Sequence, residues 1–302
     1  MATLEIKLLD KLKYNLKNVK KLTDEDFWKK NGNITTNKAE YYLKNYLQNI
    51  NCDSMNMRHK KSYSDAQGGE LRPNKWGVTP MAALRSSAAL AYNIFGNKET
   101  CELVENPWGL IKGEYSLTYE WKEAETIKGH RANIDVHLSN NESGNHLFVE
   151  MKMFEPLVKN HPFKSYEQHK TNGNIPKPIL KAFEDFDKNP SEYFDAFQMI
   201  KHLLALYNYF KSKNNAKKVV LVNCHWEPKE FVDYENRNRN AISLKEKYER
   251  YNKCAERFME NSAFVELFEQ INVELFLNAC SHFELLEALG KERDEYLKRY
   301  EI

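Results

Sequence analysis

Apolar positions along this chain recur first at helical spacing, then at every second residue, then at helical spacing again. Up to about Cys52 the period is helical. "NKAEYYLKNYLQNI" sets Tyr42, Leu43, Tyr46, Leu47 and Ile50 three and four residues apart. Residues Asp53 to Lys75 are polar, contain glycine and read as a loop. "TPMAALRSSAALAYNIFG" then predicts a helix with Thr79 as N-cap, Pro80 in its first position and Gly96 closing it.

Strand spacing follows. "YSLTYEWKEA" alternates Leu117, Tyr119 and Trp121 against Thr118, Glu120 and Lys122. "NIDVHL" alternates Ile134, Val136 and Leu138 against Asn133, Asp135 and His137. "HLFVEMKMF" puts Leu147, Val149, Met151 and Met153 on one face, and Phe148, Glu150, Lys152 and Phe154 on the other. A long connection runs from Glu155 to about Lys177. "SEYFDAFQMIKHLLALYNYFKS" is an amphipathic helix with Phe197, Ile200, Leu204 and Tyr207 as its stripe. "KKVVLVNCHW" is continuously apolar and reads as a buried strand. Everything after about Glu230 reads as helical. Three strands can form a meander, whereas the last needs a helical crossover and so lies parallel to a neighbour. The expected fold class is α/β (α+β): a mixed sheet with helices on its faces and helical extensions at both ends. The expected division is an N-terminal helical extension over 1–66, a core over 67–228 and a C-terminal helical extension over 229–302, packed as one compact unit.

Composition narrows the options. The 302 residues suffice for a sizeable core, and the net charge of only +2 provides no chain-wide basic field for nucleic acid. No run is long and apolar enough for a membrane span, and the N-terminus lacks signal-peptide character, so no membrane partner and a cytoplasmic location are expected. Five widely spaced cysteines without a CxxC pair suggest neither a disulfide framework nor a thiolate zinc site. Nine histidines show no paired ligand spacing, and "AQGGEL" lacks the Lys-Ser/Thr of a phosphate loop. Ser86-Ser87 has no nucleophile-elbow glycines and reads as small-residue packing.

The chemistry concentrates in "ANIDVHLSNNESGNHLFVEMKMF". With "SNNESGN" as the turn, pairing outward sets Asp135 opposite Glu150 or its neighbour, and alternation puts Asp135, Glu150 and Lys152 on one face. Two adjacent carboxylates repel unless a cation or a proton lies between them. An oxygen-rich site suits Mg²⁺ or Mn²⁺, with Lys152 placed to hold or help deprotonate an attacking water and to offset charge on a phosphate. Glu-x-Lys also occurs at Glu5, Glu120 and Glu227, but only Glu150 and Lys152 combine strand alternation with a paired upstream Asp. Spacing alone is equally compatible with a solvated hairpin face.

The order Asp135…Glu150-x-Lys152 on consecutive strands, flanked by a helix before and a helix and strand after, resembles the PD-(D/E)XK nuclease superfamily. "GGELRPNKWGVTPMAALRSSAALAYNIFG" followed by this core is similar to restriction-endonuclease-like proteins within it, and the resemblance covers about Gly68 to Trp226. Asn133 and Ile134 stand where the name-giving proline often precedes the Asp. The resemblance implies a restriction-endonuclease-like core and a metal-dependent phosphodiesterase acting on DNA. A nuclease acting on RNA and a nucleic-acid-binding protein that no longer cuts are the alternatives. It further implies that Asp135, Glu150 and the Met151 carbonyl bind Mg²⁺ or Mn²⁺ and that Lys152 is the catalytic lysine. Glu70 in "GGEL" is the candidate extra metal carboxylate, and Gln198 the candidate helix residue near the water or phosphate. Glu120 on the first strand, and Lys201 and His202 beside Gln198, are candidate supports, although His202 reads first as an ordinary helix-surface histidine. The basic connection with Lys159, Lys164, Lys170 and Lys177 could track a nucleic-acid backbone, as could Arg237 and Arg239. A homodimer is reasonable for cutting two strands.

Overall fold

The computed structural model describes residues 4–29, 39–50, 52–65, 69–104, 107–158, 174–190, 192–229, 242–291 and 297–302. The hairpin that carries the candidate chemistry forms as its alternation requires. Strands β5 (Ile134–Asn140) and β6 (Asn145–Lys152) pair antiparallel, in a register running from Asn140 with Asn145 to Val136 with Val149. All eight residues of β6 are buried, because helices cover both of its faces.

Around the hairpin lie β1 (Thr100–Leu103), β2 (Gly113–Trp121), β7 (Lys218–His225) and β8 (Glu274–Ser281). The six-stranded sheet has the order β1-β2-β5-β6-β7-β8, while β3 (Glu125–Ile127) and β4 (His130–Arg131) form a separate small ribbon. Pairs from β1 to β6 are antiparallel; β6-β7 and β7-β8 are parallel. The expected mixed α/β sheet with a helical crossover into β7 is what forms.

Helices α1 (Leu4–Lys20), α2 (Met57–Asp65), α3 (Ser87–Phe95) and α8 (His282–Ala288) contribute to one core with Leu147, Val149 and Met151. Helices α4 (Lys177–Lys188), α5 (Ala196–Lys213), α6 (Leu244–Met259) and α7 (Ser262–Glu269) contribute to the other with Phe148, Val219 and Leu221. Among the described residues no helix is long and apolar enough to cross a membrane.

The pleat of β2 reverses before its end. Tyr115, Leu117 and Tyr119 enter the first core, yet Trp121 enters the second, and Ile134 opposite it does the same. The switch falls on Glu120, a buried non-glycine residue in the left-handed region at φ 51. Such a backbone costs about 1–3 kcal/mol and persists only where its surroundings impose it. Simple alternation, which put Trp121 beside Tyr119, fails here for that reason.

Other local expectations also yield to tertiary partners. The stretch at 39–50 forms short 3-10 turns rather than a helix, since Leu43 N–H bonds to Ala82 O at 3.0 Å and the Asn45 side chain caps Leu47. The helix expected from Thr79 starts at Ser87. Pro80–Ala82 makes a separate turn, and Asn49 Nδ2 donates to the carbonyls of Met81 and Ala83 at 2.7 and 2.8 Å, groups a helix would need. Ser86 is the cap, its Oγ accepting from Ala89 N–H at 3.1 Å, and Gly96 closes the helix at φ 90. The loop expected before Lys75 contains α2, whose buried side is only His59 and Tyr63. The C-terminal region read as helical contains β8. There Leu275 and Leu277 point inward, but a part-exposed Phe276 blurs the alternation.

Candidate active site

Asp135 lies one residue before Val136, just beyond the last position at which β5 pairs with β6. The ladder with β6 ends at Val136 and Val149, and the Asp135 carboxylate takes over: its Oδ2 accepts the Met151 N–H at 2.6 Å. A side chain thus stands where a strand carbonyl would be, which fixes Asp135 against the Glu150–Lys152 segment. Met151 itself is directed into the core opposite.

Across β6, α5 supplies a second set of groups. Asp195 caps the helix by accepting Gln198 N–H at 2.9 Å, which sets the first turn. Gln198 and His202, four residues apart, therefore share a face over the sheet. Lys152 Nζ donates to Glu150 Oε1 at 2.7 Å and to Gln198 Oε1 at 2.6 Å. Gln198 Nε2 donates to Glu150 Oε1 at 2.6 Å, and His202 Nε2 lies 3.0 Å from Glu150 Oε2. His202 is buried, not an ordinary surface histidine.

A crowd of carboxylates sets the electrostatics. Burial first, then the charges of Glu150 and Glu120, push Asp135 well above its ordinary range. Burial likewise pushes Glu120 up to about 8. A hydrogen bond from Asn133 opposes this, and Glu70 and Glu150 add to it. Glu70 is raised by burial and by Glu155. Glu150 goes the other way, to about 2: burial would raise it, but Lys152 and His202 outweigh burial. Burial would lower Lys152, yet Glu150, Glu155 and Asp135 hold it above the ordinary lysine range. Lys201 is lowered by burial, with Asp195 and Glu150 pulling the other way.

Asp135, Glu150, Lys152, Gln198 and His202 thus meet at one place, and Glu70, Glu120 and Lys201 act on it electrostatically. Gly69, in the left-handed region at φ 61, turns the loop, and Glu70 O accepts Met81 N–H at 3.0 Å to fasten it. Lys177 lies exposed at the start of α4. Lys159, Lys164, Lys170, Arg237 and Arg239 lie outside the described residues. Two groups escaped the sequence reading. Glu155 accepts Met153 N–H at 2.7 Å from a turn, where no alternation marks it. Asn133 precedes β5 and holds the Glu120 carboxylate.

The donors are hard oxygens, the kind that suits a divalent cation such as Mg²⁺. Among the described residues, however, no three His, Cys, Asp or Glu side chains are grouped to hold a metal ion. The contacts give the reason: Lys152, Gln198 and His202 already occupy both oxygens of Glu150. The donor set fits a divalent cation in kind: Asp135, Glu120 and Glu70 are all pushed toward their protonated forms and stand outside the Lys152–Gln198–His202 contacts, and Glu150 would join them by releasing Lys152 and Gln198.

A mixed sheet flanked by helices, with this polar cluster at the open end of its central hairpin, defines a restriction-endonuclease-like α+β core. A family model described as Restriction Endonuclease associating with ARP matches residues 11–229, well over half the chain, and the protein belongs to that family. No curated protein and no solved structure matches the chain.

Proposed function

We propose that this protein is a metal-dependent nuclease of the PD-(D/E)XK type, an endonuclease hydrolysing DNA phosphodiester bonds. The observation that carries the reading is the joining of Asp135, Glu150 and Lys152 with Gln198 at the end of one hairpin. The family membership supports the nuclease class.

Asp135 and Glu150, with the Met151 carbonyl and Glu70, would hold Mg²⁺ or Mn²⁺, Glu150 by giving up the contacts of Lys152 and Gln198 at its Oε1. A bound cation supplies Lewis-acid stabilisation of the phosphate and lowers the pKa of water. Lys152 donates to two acceptor oxygens and is therefore set as an ammonium donor rather than as a base. Turned toward substrate, it donates to a non-bridging phosphate oxygen as negative charge builds there. Gln198 and His202 fix the direction of Lys152 and Glu150. The basic residues Lys159, Lys164, Lys170 and Lys177 would follow the backbone. Cutting both strands calls for two copies of the site, hence a homodimer on DNA.

The saturation of Glu150 favours a second reading, a nucleic-acid-binding core that does not cut. Cleavage of supercoiled plasmid, linear duplex, single strands and RNA under Mg²⁺ or Mn²⁺ separates the two. Metal-dependent cleavage of DNA is expected, reduced about 10²–10³-fold in Lys152→Ala, the size typical of losing one preorganised donor. Equal cleavage by the variant would remove Lys152 from the mechanism. Binding without cleavage of any substrate would establish the second reading, and cleavage of RNA alone would reassign the substrate.

A further inference from the structure

A polar cavity lies at the ends of β7 and β8, where His225 stands opposite Lys152 in the β6-β7 ladder. Its volume is about 510 Å³, within the roughly 300–1,000 Å³ of small-molecule sites. Among the described residues Glu227, Glu256 and Glu284 line it together with His225, Cys280 and Ser281, and none of its described lining residues is Lys or Arg. Glu284 is accounted for: its Oε2 accepts Ser281 N–H at 2.6 Å as part of a helix cap. Glu227 has no such role and is raised above its usual range by burial and by the charge of Glu284.

The second, independent observation is His225. It is only 3 % exposed, and neither ring nitrogen has a hydrogen-bond partner. An imidazole buried without partners has lost its hydrogen bonds to water and gained none in exchange. Its Nε2 stands 3.8 Å from Glu227 Oε2, too far for a direct bond. That gap measures the occupant. Two ligands at about 2.1 Å from one metal lie about 3.0 Å apart at a right angle and about 3.4 Å apart at a tetrahedral angle. A spacing of 3.8 Å exceeds both, so these two atoms as they stand do not suit a small cation such as Zn²⁺ or Mg²⁺. An N–H donor at about 2.9 Å from each atom spans it without moving either side chain.

We propose that this cavity binds a small organic cation carrying a primary ammonium or guanidinium group. The cationic head lies between His225 Nε2 and Glu227 Oε2, and Glu256 at the rim, exposed to solvent, adds a long-range attraction. The site is separate from the carboxylate cluster around Glu150, although His225 lies opposite Lys152 in the β6-β7 ladder.

Isothermal titration calorimetry at about 0.15 M salt, where weak surface attraction is screened, tests this. The probes are spermidine for an ammonium, arginine amide for a guanidinium, and Mn²⁺ and Zn²⁺ as metals alone. The proteins are the wild type, Glu227→Gln, Glu256→Gln and Lys152→Ala. One of the two organic probes should bind, at least about tenfold more weakly in Glu227→Gln, the loss of one charge-assisted hydrogen bond. Glu256→Gln, at an exposed position that folding tolerates, should weaken it by a smaller factor, and Lys152→Ala should leave it unchanged. No binding of either organic probe, or equal binding by both Glu variants and the wild type, overturns the proposal. Metal binding lost in Glu227→Gln without any amine binding overturns it in favour of a metal site. Because Lys152→Ala is inert here and decisive for cleavage, failure of either proposal leaves the other standing.

Discussion

The two ends of one hairpin face behave in opposite ways. Near the turn, His137 and His146 lie 3.1 Å apart and stack with Phe148, buried and without charge. Toward the open end, the same face carries Asp135, half-buried and pushed toward its protonated form, and Glu150 and Lys152, buried and paired as ions. The alternation is continuous across both ends, so pattern does not distinguish them. The neighbours do. Phe210, late in α5, covers the histidine end, while Gln198 and His202, early in the same helix, put donors on the other. A polar face turned into a protein becomes inert packing where apolar groups meet it and a reactive cluster where charges and amides do.

The most severe way to break the contrast is Lys152→Ala. Beyond the loss of cleavage, it leaves Glu150 buried with one cationic partner fewer. Urea unfolding should show a loss approaching the roughly 3 kcal/mol typical of a broken buried pair, moderated by Gln198 and His202. A stability unchanged within error would mean that the pair is not formed in solution.

Next in size is the response to cation. Mn²⁺ at about a hundred times its dissociation constant should stabilise the fold by about 2.7 kcal/mol. Asp135→Asn should abolish the effect. The gain should be larger at pH 8 than at pH 5.5, because protons compete for Asp135 and Glu120. An equal thermal shift in Asp135→Asn would place the cation elsewhere.

The two ends should also differ in the sign of their pH dependence. His137 sits well below its ordinary 6.5 and His146 at about 4, both through burial. The folded state there binds fewer protons than the unfolded one, so stability is full above 6.5 and falls as pH drops toward 4. At the open end Glu120 sits at about 8 against an ordinary 4.5. There the folded state binds more protons, so stability is full below 4.5 and is lost as pH rises through 8. Urea midpoints at pH 5, 6.5 and 8 should therefore respond in opposite senses: the double change His137→Phe with His146→Phe should flatten the acid side, and Glu120→Gln the alkaline side. Identical profiles for both variants would end the comparison.

Gln198→Ala should act more mildly. We expect about 1 kcal/mol of stability for a lost hydrogen bond and a partial fall in cleavage with little change in substrate binding, measured as kcat against KM. Smallest of all is the histidine-to-phenylalanine pair at pH 8, where replacing both members by apolar rings should cost under about 1.5 kcal/mol and leave cleavage unaltered.

Much of the site was legible because a two-residue period admits one register once the turn is located. Asp135, Glu150 and Lys152 follow from that rule; the four-residue helical step puts Gln198 and His202 on one face, but His202 reads first as a surface histidine, because only the packing of α5 on the sheet buries it. Glu155 was not legible, since a turn has no period, and neither was the reversal at Glu120, since no residue type announces a left-handed backbone in mid-strand. In the fold, the hairpin, α5 and β7 were readable from strong local patterns. The stretch at 39–50 and the start of α3 were not, because Asn49 and Asn45 divert backbone groups to partners far away or outside a helix.

Periodicity along the chain therefore settles which residues share a face, because pleat and helix geometry are local. Whether a face is neutral or charged is settled by what packs on it. The state of His146 and Glu150 depends on groups more than forty residues away in the chain, Phe210, Gln198 and His202, and desolvation and Coulomb interaction act through space rather than along the sequence.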